Sequence, residues 1–164
     1  MNKQNFYDLN FDQLKNFLVE KVEVDSKKAK MRAQQMFNAV YKKNIKNFDQ
    51  LTTFGLDLRK KIKNLISLDK PKIVEVQKSK DGTIKFLLEL KDKKNVETVL
   101  IPDKNLSRYT ICLSVSVGCY LSCEFCATAQ ISKNLVRNLS PGEIISQIII
   151  CKDYIDDWST QKKI

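Results

Sequence analysis

The chain has 164 residues, of which 43% are hydrophobic and 29% charged, with a net charge of +10 and no histidine. These are the proportions of a soluble globular protein, and no apolar run approaches the roughly 20 residues of a membrane-spanning helix. The N-terminal "MNKQNFYDLN" has no basic stretch followed by an apolar one. The expectation is therefore a cytoplasmic, monomeric protein with no membrane partner, whose cysteines stay reduced.

The charge is uneven. Residues 1–110 carry 24 Lys+Arg against 14 Asp+Glu, and residues 111–164 carry 5 against 5. A basic surplus confined to one segment favours a polyanionic partner such as RNA or DNA, although lysines on helices also serve simply as a solvated face.

In chain order, Asn10 and Gln13 form a capping-box pattern ahead of an apolar stripe of Phe11, Leu14, Phe17 and Leu18. After Ser26, the spacing of Ala29, Ala33, Met36, Phe37, Val40 and Tyr41 predicts a helix with one buried face. A third helix is expected from Asn47, with Gln50 at its third position and a stop before Gly55, and Leu58, Ile62, Leu65 and Ile66 suggest a fourth. Lysines 27, 28, 30, 42, 43, 46, 60, 61 and 63 fall on the other faces, where they could meet phosphates without reading sequence.

From Pro71 the period changes from 3.6 to 2. "KIVEVQKS" and "TIKFLLELK" read as a hairpin turning at Lys80, Asp81 and Gly82, and "NVETVLIP" as a third strand ended by Pro102. "YTICLSVSVG" reads as one further strand that feeds a cysteine-rich loop. "LSPGEIISQIII" starts a helix, with Ser140 as N-cap, Pro141 at the first position, Glu143 closing a capping box, and Ile144, Ile145, Ile148 and Ile149 as the buried face.

Three of the five cysteines, Cys119, Cys123 and Cys126, follow the spacing C-x3-C-x2-C. Thiols can be metal ligands, nucleophiles or small buried hydrophobes, and three on a short loop after a strand suit ligation. Structural zinc wants four protein ligands, so in a chain without histidine Cys112 or Cys151 would have to complete the set. Neither is well placed, one lying seven residues upstream in a strand and the other at the far end of the following helix. A 4Fe–4S cluster held by three thiolates leaves one iron open to an outside ligand, as a catalytic centre requires. By position alone, Cys112 reads as a buried hydrophobe, Glu97 as the solvent side of a strand, and Cys151 as a core residue.

C-x3-C-x2-C is the cluster motif of the radical S-adenosylmethionine enzymes. With "SVSVGC", "CEFCATAQ", "VRNLSPGEIISQI" and "VETVLIP" around it, the chain resembles the radical S-adenosylmethionine methyltransferases that modify adenine C2 in 23S rRNA and in certain tRNAs. "KAKMRAQQMFNAVYKKNIKNFDQLTTFGLDLRKKI" is similar to that family's helical accessory domain, thought to engage RNA. The resemblance implies an α/β fold with an α+β N-terminal part: a helical accessory domain over 1–68, a β-hairpin connector over 69–108, and over 109–164 the first βα unit of a partial (β/α) barrel. It implies that Cys119, Cys123 and Cys126 hold a 4Fe–4S cluster whose open iron binds S-adenosylmethionine, with reduction by a donor such as flavodoxin. Cys112 corresponds to the family's resolving cysteine, which forms a transient disulfide with a methyl-carrying cysteine, and Glu97 to its proton acceptor.

Two loops are longer than the family's usual ones, and the family's Gly-Glu-Pro segment and methyl-carrying cysteine lie outside the sequence. The expectation is that this stretch alone does not turn over and that the isoleucine face of the last helix lacks partner strands. The alternatives are a C8-specific relative, a zinc-stabilised RNA-binding module, and a truncated pseudoenzyme that only binds RNA.

Overall fold

The computed structural model describes residues 3–103, 108–121, 123–124 and 136–158. They form a mixed α/β structure in two compact units that divide between Asp69 and Lys70.

The first unit is helical and is tied at its ends by a short parallel ladder between β1 (Gln4–Asn5) and β2 (Ile66–Ser67), reinforced by Asn5 Nδ2 donating to the Asp69 carbonyl at 3.0 Å. Helix α1 (Phe11–Glu20) starts at the expected capping box, with the Gln13 amide 2.9 Å from Asn10 Oδ1 and the Asn10 amide 2.8 Å from Gln13 Oε1. Helix α2 (Ser26–Tyr41) is capped by Asp25 and buries Ala29, Ala33, Met36 and Val40 as its spacing predicts. Phe37 and Tyr41 are half-buried and pack as a ring cluster around the fully buried Phe6.

The third helix expected from Asn47 is a single 3-10 turn, Phe48–Gln50, although its capping box forms. Gly55 does not end that helix but caps the next, α3 (Leu56–Leu65), which buries Ile62. The turn ends at Leu51, whose φ of −76° and ψ of 65° leave the helical region, and both Leu51 and Phe54 are buried. The lysines singled out on this segment are all exposed, and two of them pair with carboxylates, Lys61 with Glu23 at 2.6 Å and Lys63 with Asp49 at 2.5 Å. Exposed pairs of this kind add little stability.

The second unit is a four-stranded antiparallel meander of β3 (Lys72–Lys78), β4 (Ile84–Glu89), β5 (Asn95–Asp103) and β6 (Arg108–Leu113), in that order. The hairpin turns where expected, and Gly82 adopts φ +93°; a Cβ there would also meet Pro102 Cγ at 3.2 Å. Strand β5 runs one residue past Pro102, which is tolerated because β4 pairs only as far as Leu100. One face of the sheet, carrying Ile84, Phe86, Leu88, Val96 and Leu100, forms a core with Val117, Leu139, Ile150 and Cys151, the last two on helix α4 (Pro141–Tyr154). Every ladder of this unit is antiparallel among the described residues.

Two expectations need correction. The single strand read over "YTICLSVSVG" is two: β6 stops at Leu113, and β7 (Ser116–Val117) leaves the sheet to pair with β8 (Arg137–Asn138), a strand absent from the sequence reading. The buried face of α4 comprises Gly142, Ser146, Gln147, Ile149, Ile150 and Cys151, while Ile144, Ile145 and Ile148 are only half-buried.

One residue accounts for both. The Gln147 side chain is fully buried and makes four hydrogen bonds: Oε1 accepts from Thr98 Oγ1 at 2.7 Å and from the Ser114 amide at 2.9 Å, and Nε2 donates to the Ser114 carbonyl at 2.9 Å and the Glu143 carbonyl at 3.2 Å. It takes both backbone groups of Ser114, so β6 need not continue its ladder there. It also turns α4 so that a polar residue, rather than the full isoleucine stripe, meets the sheet. Replacing Gln147 by Leu leaves a buried hydroxyl and a peptide unit without partners, at about 1–3 kcal/mol for each buried group. Q147L should lower the stability of this unit by about 3 kcal/mol in urea unfolding followed by the fluorescence of Trp158, the chain's single tryptophan. A loss below about 1 kcal/mol would show that the four bonds do not hold the unit together.

Candidate functional site

The cysteine loop springs from a two-stranded clasp. β7 and β8 pair Ser116 with Asn138 and Val117 with Arg137, and the Val136 amide donates to Val117 O at 2.8 Å and the Leu139 amide to Val115 O at 2.9 Å. Entry to the loop requires Gly118, whose φ of +76° lies in the left-handed region. Cys119 follows at once, half-buried, and its Sγ accepts the Leu121 amide at 3.4 Å. An N–H aimed at sulfur stabilises a thiolate and is one of the contacts that tune a thiolate-bound metal centre.

Cys123 is also half-buried, and both thiols are free. Cys126 lies outside the described residues. Among the described residues no three His, Cys, Asp or Glu side chains converge as a metal site. The donor set nevertheless fits an iron–sulfur cluster: the motif offers thiols only, two of them reduced and partly accessible on a loop held at both ends.

The loop exit is fixed by Arg137. Its guanidinium grips Glu143 of α4 in a two-pronged contact at 2.7 and 2.8 Å, and its Nε donates to Asp92 in the β4–β5 turn at 2.9 Å. Glu143 also accepts the Ser140 amide at 2.8 Å, completing the expected capping box with Pro141 in the first turn. The Arg137 hydrogen bonds hold the Glu143 carboxyl below its ordinary value, against the opposing effect of burial, and likewise lower Asp92. Sequence reading missed this triad; the signal available was an arginine three residues before a Ser-x-x-Glu box.

A second group of predicted residues lies on the sheet face opposite α4. Glu97 and Val99 alternate with the buried Val96, Thr98 and Leu100, and Cys112 sits directly opposite Val99 on β6. Glu97 and Cys112 are thus diagonal neighbours on one face, with a typical separation of about 7–8 Å. Cys112 is exposed, which corrects the reading of it as a buried hydrophobe from its apolar surroundings; alternation along β6 sends Tyr109 and Ile111 to the core side instead. Glu97 is exposed, as strand alternation suggested, and its Oε1 lies 3.1 Å from Lys85 Nζ. Cys151 is a fully buried core residue, as expected, and burial pushes its thiol up to about 12.

Residues 4–68 match the ribosomal RNA large subunit methyltransferase N-terminal domain. Over 160 residues the chain is 41% identical to the dual-specificity RNA methyltransferase RlmN of Campylobacter fetus subsp. fetus, covering 91% of this chain and 42% of that protein. The chain belongs to the RlmN family. The RlmN of Novosphingobium aromaticivorans is 42% identical over 135 residues, which are 82% of this chain and 30% of that protein. The crystal structure of a radical SAM methyltransferase from Sphaerobacter thermophilus superposes with a TM-score of 0.78 at 30% identity, covering 93% of this chain and 42% of that one. The chain therefore spans less than half the length of these relatives. Both clasp strands, the cysteine motif and the sheet face with Glu97 and Cys112 fall within its length.

The sign of the pH effect follows from the Arg137–Glu143 contact. A carboxyl whose folded-state value is depressed stabilises the fold above its unfolded value, and that stabilisation is lost as pH falls through the folded value. The urea midpoint of the second unit should therefore fall as pH drops below about 4.5, the ordinary value for Glu143. E143Q should flatten that acid limb while leaving its slope above pH 6 unchanged. An acid limb of unchanged steepness in E143Q would assign the acid sensitivity to other carboxylates.

Proposed function

We propose that the chain is the catalytic-loop-bearing part of a radical S-adenosylmethionine methyltransferase that acts on C2 of an adenine in 23S rRNA and in certain tRNAs in the cytoplasm, reduced by a donor such as flavodoxin. The observation that carries this reading is the set of free thiols on a clasped loop, in a chain of the RlmN family. Cys119, Cys123 and Cys126 would hold a 4Fe–4S cluster as thiolates, leaving an iron position open to S-adenosylmethionine. Bound there, the cluster supplies reductive cleavage of the sulfonium, a route suited to adenine C2, which is a poor substrate for a cationic methyl donor.

The chain's own residues do the rest. The clasp and Gly118 present the thiols, and Arg137 joins the loop exit to the first turn of α4. Glu97 accepts the proton lost from the adenine. Cys112 offers the thiol that frees the RNA, by pairing with the methyl-carrying cysteine that the family has elsewhere in its chain. Residues 1–68 act as a helical accessory domain whose exposed lysines meet RNA phosphates, which predicts RNA binding with a steep salt dependence. The strand-to-α4 segment is the opening βα unit of a partial barrel.

The test grafts residues 1–164 into the Campylobacter relative in place of its matching segment and measures methylated adenines in 23S rRNA and tRNA by mass spectrometry. The expected product is 2-methyladenine, lost when Cys119, Cys123 or Cys126 is replaced by Ala. Production of 8-methyladenine would move the chain to the C8-specific branch. Anaerobic reconstitution of the chain with iron and sulfide should give a brown protein, and a colourless protein that takes up one zinc would overturn the cluster assignment.

A further inference from the structure

Lys85, Val99 and Cys112 form one row across three strands on the open face of the sheet: Lys85 on β4 pairs with Val99 on β5, and Val99 with Cys112 on β6. Strands lie about 4.8 Å apart, so the backbones of Lys85 and Cys112 are about 10 Å apart, a gap much of which a lysine side chain can cross. The Lys85 ammonium is 3.1 Å from Glu97 Oε1, placed diagonally beside Cys112. The thiolate is the reactive form of a cysteine, and an adjacent carboxylate opposes its formation while an adjacent cation favours it. A carboxylate base and a thiolate side by side thus need a compensating charge.

We infer that Lys85 is a positioning residue that pins the Glu97 carboxylate by one oxygen and offsets its charge, so that a base and a reactive Cys112 thiolate can coexist on one sheet face. The inference rests on the proposed function for the roles of Glu97 and Cys112, and on the cross-strand row for the part played by Lys85. The other charged groups that alternation places on this face are more distant or already partnered. Arg108 on β6 pairs in register with Asp103 on β5, Lys72 with Glu89, which also contacts Lys93 at 3.0 Å, and Glu75 on β3 accepts from Gln77 at 2.8 Å. Arg108 lies four residues along its strand from Cys112, about 13 Å away.

The experiment is the rate of Cys112 alkylation by iodoacetamide in the chain at neutral pH and low salt, read by mass spectrometry that resolves each cysteine. K85Q should slow Cys112 labelling by about threefold, because the uncompensated carboxylate then opposes the reactive thiolate. K85R should retain the wild-type rate, and E97Q should raise it, with the Trp158 fluorescence unfolding midpoint unchanged in each. A K85Q rate equal to wild type, or a K85R rate as slow as that of K85Q, would overturn the inference. If K85Q fails to fold, the K85R and E97Q rates decide it. Absence of methylated adenine from the graft would count against the methyltransferase reading alone, since alkylation requires neither cluster nor RNA.

Discussion

The second unit depends on one buried amide. Gln147 is placed among isoleucines on a helix, where an apolar side chain would cost nothing to bury, yet it meets all four of its hydrogen-bonding requirements within the protein. A buried polar group satisfied in this way specifies a single arrangement, because any other docking of the helix would leave it unpaired. The consequence reaches both chemical regions. By taking the backbone of Ser114, Gln147 ends the long ladder and releases the chain into the clasp that carries the cysteine loop. Ser114 in turn donates its hydroxyl to the Glu97 carbonyl at 2.7 Å, tying the same point to the strand that presents the carboxylate.

The clasp then holds together the two ends of the cysteine loop. β7 and β8 contribute only two paired positions each, a ladder too short to be stable alone. It is supported from outside, by Val117 and Leu139 in the core and by Arg137 against Glu143 and Asp92. A half-buried two-pronged Arg–carboxylate contact of this kind has directional geometry that a surface lysine pair lacks. The capping box and the Arg137 contact converge on the same carboxylate, so the start of α4 and the exit of the loop are one structural feature.

Most of the elements could be read from the sequence because their local signals agree with the tertiary outcome: the capping boxes at Asn10, Asn47 and Ser140 all form, and the period change at Pro71 marks the passage from helices to sheet. The failures occur where a distant residue decides. Nothing within "YTICLSVSVG" announces that Ser114 will bond to a side chain 33 positions away. The isoleucine stripe of α4 predicted the wrong face because hydrophobic periodicity does not register a glutamine that must point inward. The reading of Cys112 was misled in the other direction, since an apolar strand whose far face is open buries only alternate residues. For the candidate site, the motif spacing was fully legible, whereas the Lys85–Glu97 pair became visible only once the register aligned three strands.

The cysteines show how one residue type is given different chemistry by its surroundings. Cys151, facing the core from α4, is desolvated and its thiol stays protonated. Cys112 has the opposite exposure on a strand of the same unit, because a one-residue step along a strand reverses the face that a side chain meets. Cys119 and Cys123 belong to neither regular element; half-buried on a loop entered through a left-handed glycine, they stay partly accessible. A shift of one residue in the β5–β6 register would exchange Cys112 with a core neighbour and break the Lys85–Val99–Cys112 row. The Gln147 contacts to Thr98 and Ser114, adjacent to Glu97 on β5 and just beyond the end of β6, hold that register in place.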